Sequence, residues 1–284
     1  MTSEPQFELT LGVTLAVLGA ALLHAAWNAI IKSGRDPLLD TALVALGGSA
    51  LTLPLLAVVS PPDPASWPYI AASVMIHIGY YAALAGAYRA GDLSHGYPIM
   101  RGTAPLMTAA ASWLCFGEAL SSTAWAGVLL ICGGVLSLGM AGGGASRKAT
   151  AWALGNAVII ALYTIADATG VRASGGAVRY IVWQFFFVGL PFALIVIGLK
   201  RGAFLRHAAR HWWRGLAGAV LSGLSYGIAL WAMTRAPVAI VAALRETSVI
   251  FAALIGAWLL KEGHIKERIW GATAVLAGLI ALKL

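Results

Sequence analysis

The sequence predicts an all-α fold: a polytopic membrane protein with ten transmembrane helices, arranged as a five-plus-five inverted repeat around a central cavity. Three observations predict it. Of the 284 residues, 60% are apolar and 11% are charged, too little polar surface to cover a water-soluble globule of this size. Apolar runs of about 18 to 25 residues, each long enough to cross a bilayer as a helix, recur along the whole chain. Finally, the pattern is written twice: Arg101 opens an apolar run ending at Glu118, and Arg245 opens one ending at Glu262, each seventeen residues on.

The duplication extends to both sides of these runs. Arg89 falls on Arg235, Tyr80 on Tyr226, Trp67 on Trp213, Trp125 on Trp270 and Gly133 on Gly278. Further upstream, Pro54 matches Pro191, Leu18-Gly19 matches Leu154-Gly155, and Trp27 matches Tyr163. The chain is therefore two copies of one unit of roughly 140 residues, a construction common among secondary transporters.

Glycine, proline and charge punctuation places the elements in order. The first unit, residues 1–141, holds spans at about 10–31, 38–59, 67–89, 95–117 and 122–141. The tail before the first span carries Glu4 and Glu8 and no lysine or arginine. That is a poor leader sequence, so the first run is expected to stay as a span. Gly142-Gly143-Gly144 with Arg147 and Lys148 marks a linker over 142–148. The second unit, 149–284, holds spans at about 149–170, 176–199, 211–234, 237–260 and 266–283. Five is odd, so the second unit enters the membrane from the opposite side and equivalent residues meet near the midplane.

Of the 19 lysines and arginines, Arg101 and Arg245 fall inside spans. Thirteen of the remainder lie on the side of the odd-numbered loops, and four (Arg172, Arg179, Arg235 and Lys283) lie on the side that includes the termini. The positive-inside rule then puts both termini outside the cytoplasm of a bacterial-type inner membrane. Cations scattered through short connections form no nucleic-acid face, so the net charge of +8 implies no nucleic-acid partner. Cys115 and Cys132 lie inside spans as small apolar residues and imply neither disulfide nor metal. No Walker A or dinucleotide fingerprint is present, so no cofactor is expected. Gly223-Leu224-Ser225-Tyr226-Gly227 matches a nucleophile elbow in letters only, since it sits inside an apolar span without the strand-turn-helix that an elbow requires.

A polar side chain at membrane depth costs about 2.5 to 3.5 kcal/mol, so each needs a partner or a wet cavity. They cluster on six spans: His24, Trp27 and Asn28 on the first, His77, Tyr80 and Tyr81 on the third, Tyr97 and Arg101 on the fourth. Tyr163 and Asp167 follow on the sixth, Tyr226 and Trp231 on the eighth, Arg245 and Glu246 on the ninth, with Gln184 alone on the seventh. Spacings of three and four put those on spans 1, 3 and 6 on one face each. They predict an aromatic cavity between spans 1, 3, 4, 6, 8 and 9. Two guanidinium forks related by the repeat can hold a carboxylate or phosphate, or each can pair with an acid, Arg245 with Glu246 or Asp167. Asp167 and Glu246 are the candidates for proton coupling or for fixed salt bridges.

Phe116-Gly117-Glu118 and its twin Leu260-Lys261-Glu262, each followed by a link and a tryptophan-led last span (Trp125 with Gly127, Trp270 with Gly271), resemble the EamA-type drug/metabolite transporter superfamily. The ten-helix branch, with its YddG-like amino-acid exporters, is the most similar. The resemblance implies a central cavity lined by Trp27, Tyr80 or Tyr81, Arg101 and Tyr163, with Arg101 standing where aromatic-amino-acid exporters favour an aromatic ring. It implies efflux of small metabolites, amino acids foremost, by alternating access, with no enzymatic activity. Exporters of cationic drugs or amines, carriers of another small anion, an intramembrane enzyme and a non-transporting receptor are the alternatives.

Overall fold

The computed structural model describes residues 9–90, 93–140, 147–259 and 265–282. Gly142 to Gly144, Leu260-Lys261-Glu262, Lys283 and the tail with Glu4 and Glu8 lie outside them. All regular structure among the described residues is helical. α1 (Leu11–Lys32) begins at Thr10, whose hydroxyl accepts from the Val13 N–H. α2 (Pro37–Thr52) begins at Asp36, whose carboxylate accepts from the N–H groups of Leu38 and Leu39, with Pro37 in the first turn. Both starts follow cap chemistry, since a helix leaves its first N–H groups without internal partners.

α3 (Trp67–Ala90), α4 (Leu93–Phe116), α5 (Ser122–Met140) and α6 (Arg147–Arg172) follow. α7 (Ala177–Met233) runs for 57 residues and is bent by non-helical backbone at Lys200 and His211. At 1.5 Å per residue its first arm, 177–199, and second arm, 212–233, are about 35 and 33 Å long, enough to cross a bilayer core of about 30 Å. The spans expected at 176–199 and 211–234 are thus joined by an elbow that stays helical. α8 (Val238–Arg245), α9 (Ser248–Leu259) and α10 (Ile265–Ala281) complete the chain. Among the described residues, Leu11–Lys32, Pro37–Ala57, Arg147–Arg172 and Ala177–Met233 are long and apolar enough to cross a membrane.

The span expected over 237–260 is broken. Glu246 and Thr247 donate their N–H groups three residues back, to Ala243 and Leu244, and the Thr247 hydroxyl adds a bond to the Leu244 carbonyl. This tight turn interrupts the α-helical ladder and leaves Arg245 as the last residue of α8.

Small residues set the packing, as expected where no water drives helices together. α2 lies against both arms of α7. A Cβ on Gly189 of the first arm would stand 2.4 Å from the Ala45 carbonyl oxygen, so only glycine permits this approach. On the second arm, Gly215 and Gly218 receive Leu43 and Val44. α5 and α10 touch backbone to backbone, Gly127 against Gly278 and Gly134 against Gly271, an antiparallel register. α6 packs on α3 and α4, while α1 packs on α7 and α9. The Ser225 hydroxyl donates to the Ala20 carbonyl and Arg214 to the Ile30 carbonyl, so α1 and the second arm of α7 also run antiparallel.

Candidate functional site

The helices surround a cavity of about 260 Å3. Its wall includes Pro37 and Leu38, which are exposed, so its mouth lies at the turn between α1 and α2. The chain delivers His24, Trp27 and Asn28 from α1, and His77, Tyr80 and Tyr81 from α3. α4 gives Tyr97 and Arg101, α6 gives Tyr163, the second arm of α7 gives Tyr226, and α8 gives Arg245. All eleven are among the polar and aromatic residues that the sequence offers as cavity candidates. Trp231 is not among the lining residues: five positions beyond Tyr226, it points to another face and lies under the Arg235 guanidinium at 4.9 Å.

The aromatic groups form one continuous surface. His77 and Tyr163 stand 4.4 Å apart between ring centroids, and Tyr80 and Tyr226 meet Tyr163 edge-on at 6.0 and 6.1 Å. Edge-to-face contacts of this kind hold rings rigidly. The His77 Nδ1 lies 2.8 Å from the Ser73 carbonyl oxygen, which fixes its ring. On α1 the Trp27 indole N–H donates to His24 Nδ1 at 3.4 Å, and the Asn28 amide donates to the His24 carbonyl at 2.8 Å.

The two arginines differ in their surroundings. Arg101 Nε lies 2.9 Å from Glu246 Oε2, with side-chain exposures of 8% and 5%. This pair joins α4 to the break after α8. The contact is an ion pair without hydrogen-bond geometry, so Arg101 Nε and Glu246 Oε2 make no hydrogen bond, and Arg101 Nη2 has no hydrogen-bond partner either. The Arg245 guanidinium sits over the Tyr226 ring, 4.9 Å from its centre, and faces the cavity. Neighbouring residues thus have unlike roles: Glu246 pairs across to Arg101 rather than with Arg245 beside it.

Neither acidic candidate lines the cavity. Asp167 is fully buried behind the wall, where Oδ1 accepts from the Tyr180 hydroxyl at 2.8 Å and Oδ2 from the Tyr226 hydroxyl at 2.6 Å. Arg245, Tyr226 and Asp167 thus form a chain from the cavity inward, cation over ring and hydroxyl to carboxylate.

Two spans that carry few polar residues also contribute. α2 supplies Val44, Ala45 and Gly48, and the first arm of α7 supplies Gln184, Phe185, Val188 and Phe192. Apart from Gln184 these look like ordinary membrane-facing residues in the sequence, and only the packing of α2 against α7 turns them inward. Gln184 is 2% exposed, and its Oε1 has no partner. A single glutamine in a span is costly, and that cost is the signal the sequence offers for it.

The end opposite the mouth is tied shut. Glu118 receives Arg172 Nη2 at 2.7 Å, the Val238 N–H at 2.9 Å and the Ser112 hydroxyl. Arg172 Nε donates to the Met233 carbonyl at 2.8 Å. This cluster links the ends of α4, α6 and α7 to the start of α8. Arg172 and Val238 lie 54 and 120 residues from Glu118, so no local pattern announces it. Among the described residues, no three His, Cys, Asp or Glu side chains are grouped to hold a metal ion.

Comparison with known proteins adds the lineage. A 64-residue stretch is 36% identical to the spermidine export protein MdtI of Klebsiella pneumoniae subsp. pneumoniae, covering 22% of this chain and 59% of that protein. A 69-residue stretch is 32% identical to the spermidine export protein MdtI of Enterobacter sp., covering 24% and 63%. The matches thus span about three fifths of these relatives' length. A solved crystal structure superimposes with a TM-score of 0.77 at 18% identity over 95% of this chain and 96% of that one, a likeness of fold. The model of the EamA-like transporter family matches residues 10–140 and again 147–284. With nearly the whole chain matched, and a helical bundle around a polar cavity, the protein is a multi-pass membrane transporter rather than an enzyme, and it belongs to the EamA-like transporter family.

Proposed function

We propose that the protein is a secondary transporter of the bacterial inner membrane that exports small metabolites bearing a carboxylate, amino acids foremost. It works by alternating access between two inverted five-helix units, 1–141 and 149–284, about the aromatic cavity. The antiparallel pairing of α5 with α10 and of α1 with the second arm of α7 supports the inversion. So does the matched pattern of neighbours: α6 lies against α3 and α4 as α1 lies against the second arm of α7 and α9.

The observation that carries the substrate reading is a separation of charge. Both arginines line the cavity, whereas both carboxylates stand outside its wall, Asp167 hydrogen-bonded to two tyrosine hydroxyls and Glu246 in an ion pair with Arg101. A carboxylate substrate finds Arg245 and the unpartnered Nη2 of Arg101. Its ammonium finds a neutral acceptor, Gln184 Oε1, and its side chain lies against Tyr80, Tyr81 and Tyr163. The break between α8 and α9 fits a transporter, where discontinuous helices place polar groups at mid-membrane depth.

The mouth lies at the lysine- and arginine-rich end, so by the positive-inside rule the cavity faces the cytoplasm and both termini lie outside. The Glu118–Arg172 cluster is then the closed outer gate. Substrate passes when that cluster opens and the mouth closes. Asp167 and Glu246 remain the groups through which protons would couple to this cycle.

A second reading, export of amines or polyamines, is favoured by the similarity to spermidine export proteins. It requires a carboxylate within reach of the substrate. Counterflow in proteoliposomes separates the two: vesicles loaded with unlabelled amino acids should take up one labelled member. Exchange with amines alone would overturn the amino-acid reading and leave the transporter assignment standing.

A further inference from the structure

The elbow of α7 and the first residues of its second arm, 200–214 together, take no part in the cavity. They carry Lys200, Arg201, Arg206, Arg210 and Arg214 and no acidic residue. Two bends isolate the elbow, at Lys200 and at His211. Between them one face is exposed and the other is covered. The exposed positions are 201, 202, 205, 206, 209 and 210, a strict helical stripe holding Arg201, Arg206 and Arg210. Leu205, 57% exposed, lies among them, and Trp212 and Trp213 follow at 62% and 55%. The covered side is anchored. Phe204, 2% exposed, packs with Leu39, Leu43 and Phe192. His207 Nε2 lies 2.9 Å from the Asp40 carboxylate, and Arg214 reaches the Ile30 carbonyl of α1 and the hydroxyl of Ser33, which caps that helix.

We infer that this elbow lies in the membrane interface and docks the phosphate headgroups of anionic phospholipids. A cationic stripe beside exposed leucine and tryptophan is the composition that settles at the boundary between headgroups and acyl chains. Its charge has no counterpart on the helix itself, and a bilayer containing phosphatidylglycerol supplies one. The partner matters because of where the covered side is tied. Asp40 and Ile30 belong to the helices that frame the cavity mouth, and Phe192 touches both the elbow and the cavity. Headgroups that hold the elbow therefore hold the mouth. The inference rests on the membrane fold and not on the substrate.

The test uses the whole protein in neutral detergent and follows its thermal unfolding. Short-chain phosphatidylglycerol should raise the midpoint, since a ligand that binds only the folded state stabilises it. Short-chain phosphatidylcholine and inorganic phosphate at equal ionic strength should not. The triple variant R201Q/R206Q/R210Q alters only exposed side chains, so its midpoint without lipid should equal that of the wild type. Each arginine near an anionic surface contributes about fivefold in affinity, so the phosphatidylglycerol titration should shift on the order of a hundredfold. An equal response in the triple variant, or equal stabilisation by phosphatidylcholine or free phosphate, would overturn the inference.

Discussion

Replacing Arg245 by glutamine isolates the substrate anchor. Arg245 faces the cavity, 8% exposed, with the Tyr226 ring beneath its guanidinium at 4.9 Å. A hydrogen bond to a charged group is worth about 1.5–3 kcal/mol net. At about 1.4 kcal/mol per tenfold, its loss should raise the apparent KM of counterflow by roughly 10- to 150-fold. Stability should move less, since the variant leaves no carboxylate without its partner and gives up a cation–π contact worth about 0.5–2 kcal/mol. Lysine at the same position keeps the charge and loses the fork, so it should fall between the two. The assay is counterflow of a labelled amino acid in proteoliposomes, paired with thermal unfolding in detergent. A KM within twofold of wild type, in a variant that unfolds at the usual temperature, would refute the assignment of Arg245.

Other residues separate support from recognition. Removing either member of the Arg101–Glu246 pair leaves a buried charge behind, at a cost of about 3–5 kcal/mol. R101Q and E246Q should each unfold early while the double variant recovers much of the loss; additive losses in a thermal-melt cycle would contradict a direct pair. Asp167→Asn keeps an acceptor but gives up charge toward Tyr180 and Tyr226, which should cost about 1–3 kcal/mol. It should leave the KM for amino acids within a few-fold, whereas abolished exchange would make Asp167 part of substrate recognition. Glu118→Gln loosens the cluster that shuts the far end, so a thiol reagent should reach a cysteine at the buried Ala236 faster in that variant, with Cys115 replaced by serine. Equal labelling rates would remove Glu118 from the gate.

The cavity is more legible in the sequence than the connections that shape it. Polar and aromatic residues in an apolar chain stand out, and a spacing of three or four fixes their face. That spacing alone groups His24 with Trp27 and Asn28, and His77 with Tyr80 and Tyr81. Trp231 carries the same polar signal and points elsewhere, because five residues from Tyr226 is more than a helical turn. The apolar wall from α2 and the first arm of α7 is hidden, since Val44 and Val188 look the same facing lipid or ligand. Partner choice is hidden as well. Glu246 has Arg245 beside it in sequence and pairs with Arg101, a choice made by the turn at Glu246 and Thr247. No proline or glycine marks that turn; its signal in the sequence is the short polar run Arg245-Glu246-Thr247-Ser248 inside an apolar stretch. Charge punctuates the elbow in α7 as it would a loop, although its residues keep helical spacing.

The central claim is that the cavity recognises a carboxylate on a small zwitterion. Its most direct measurement is counterflow in proteoliposomes loaded, in parallel, with an exchanging amino acid, the amide of that same amino acid, or spermidine. The amino acid should drive uptake of its labelled form, and the amide and spermidine should not. Equal exchange by the amide, or exchange driven by spermidine alone, would show that the cavity does not read the carboxylate and would contradict the account.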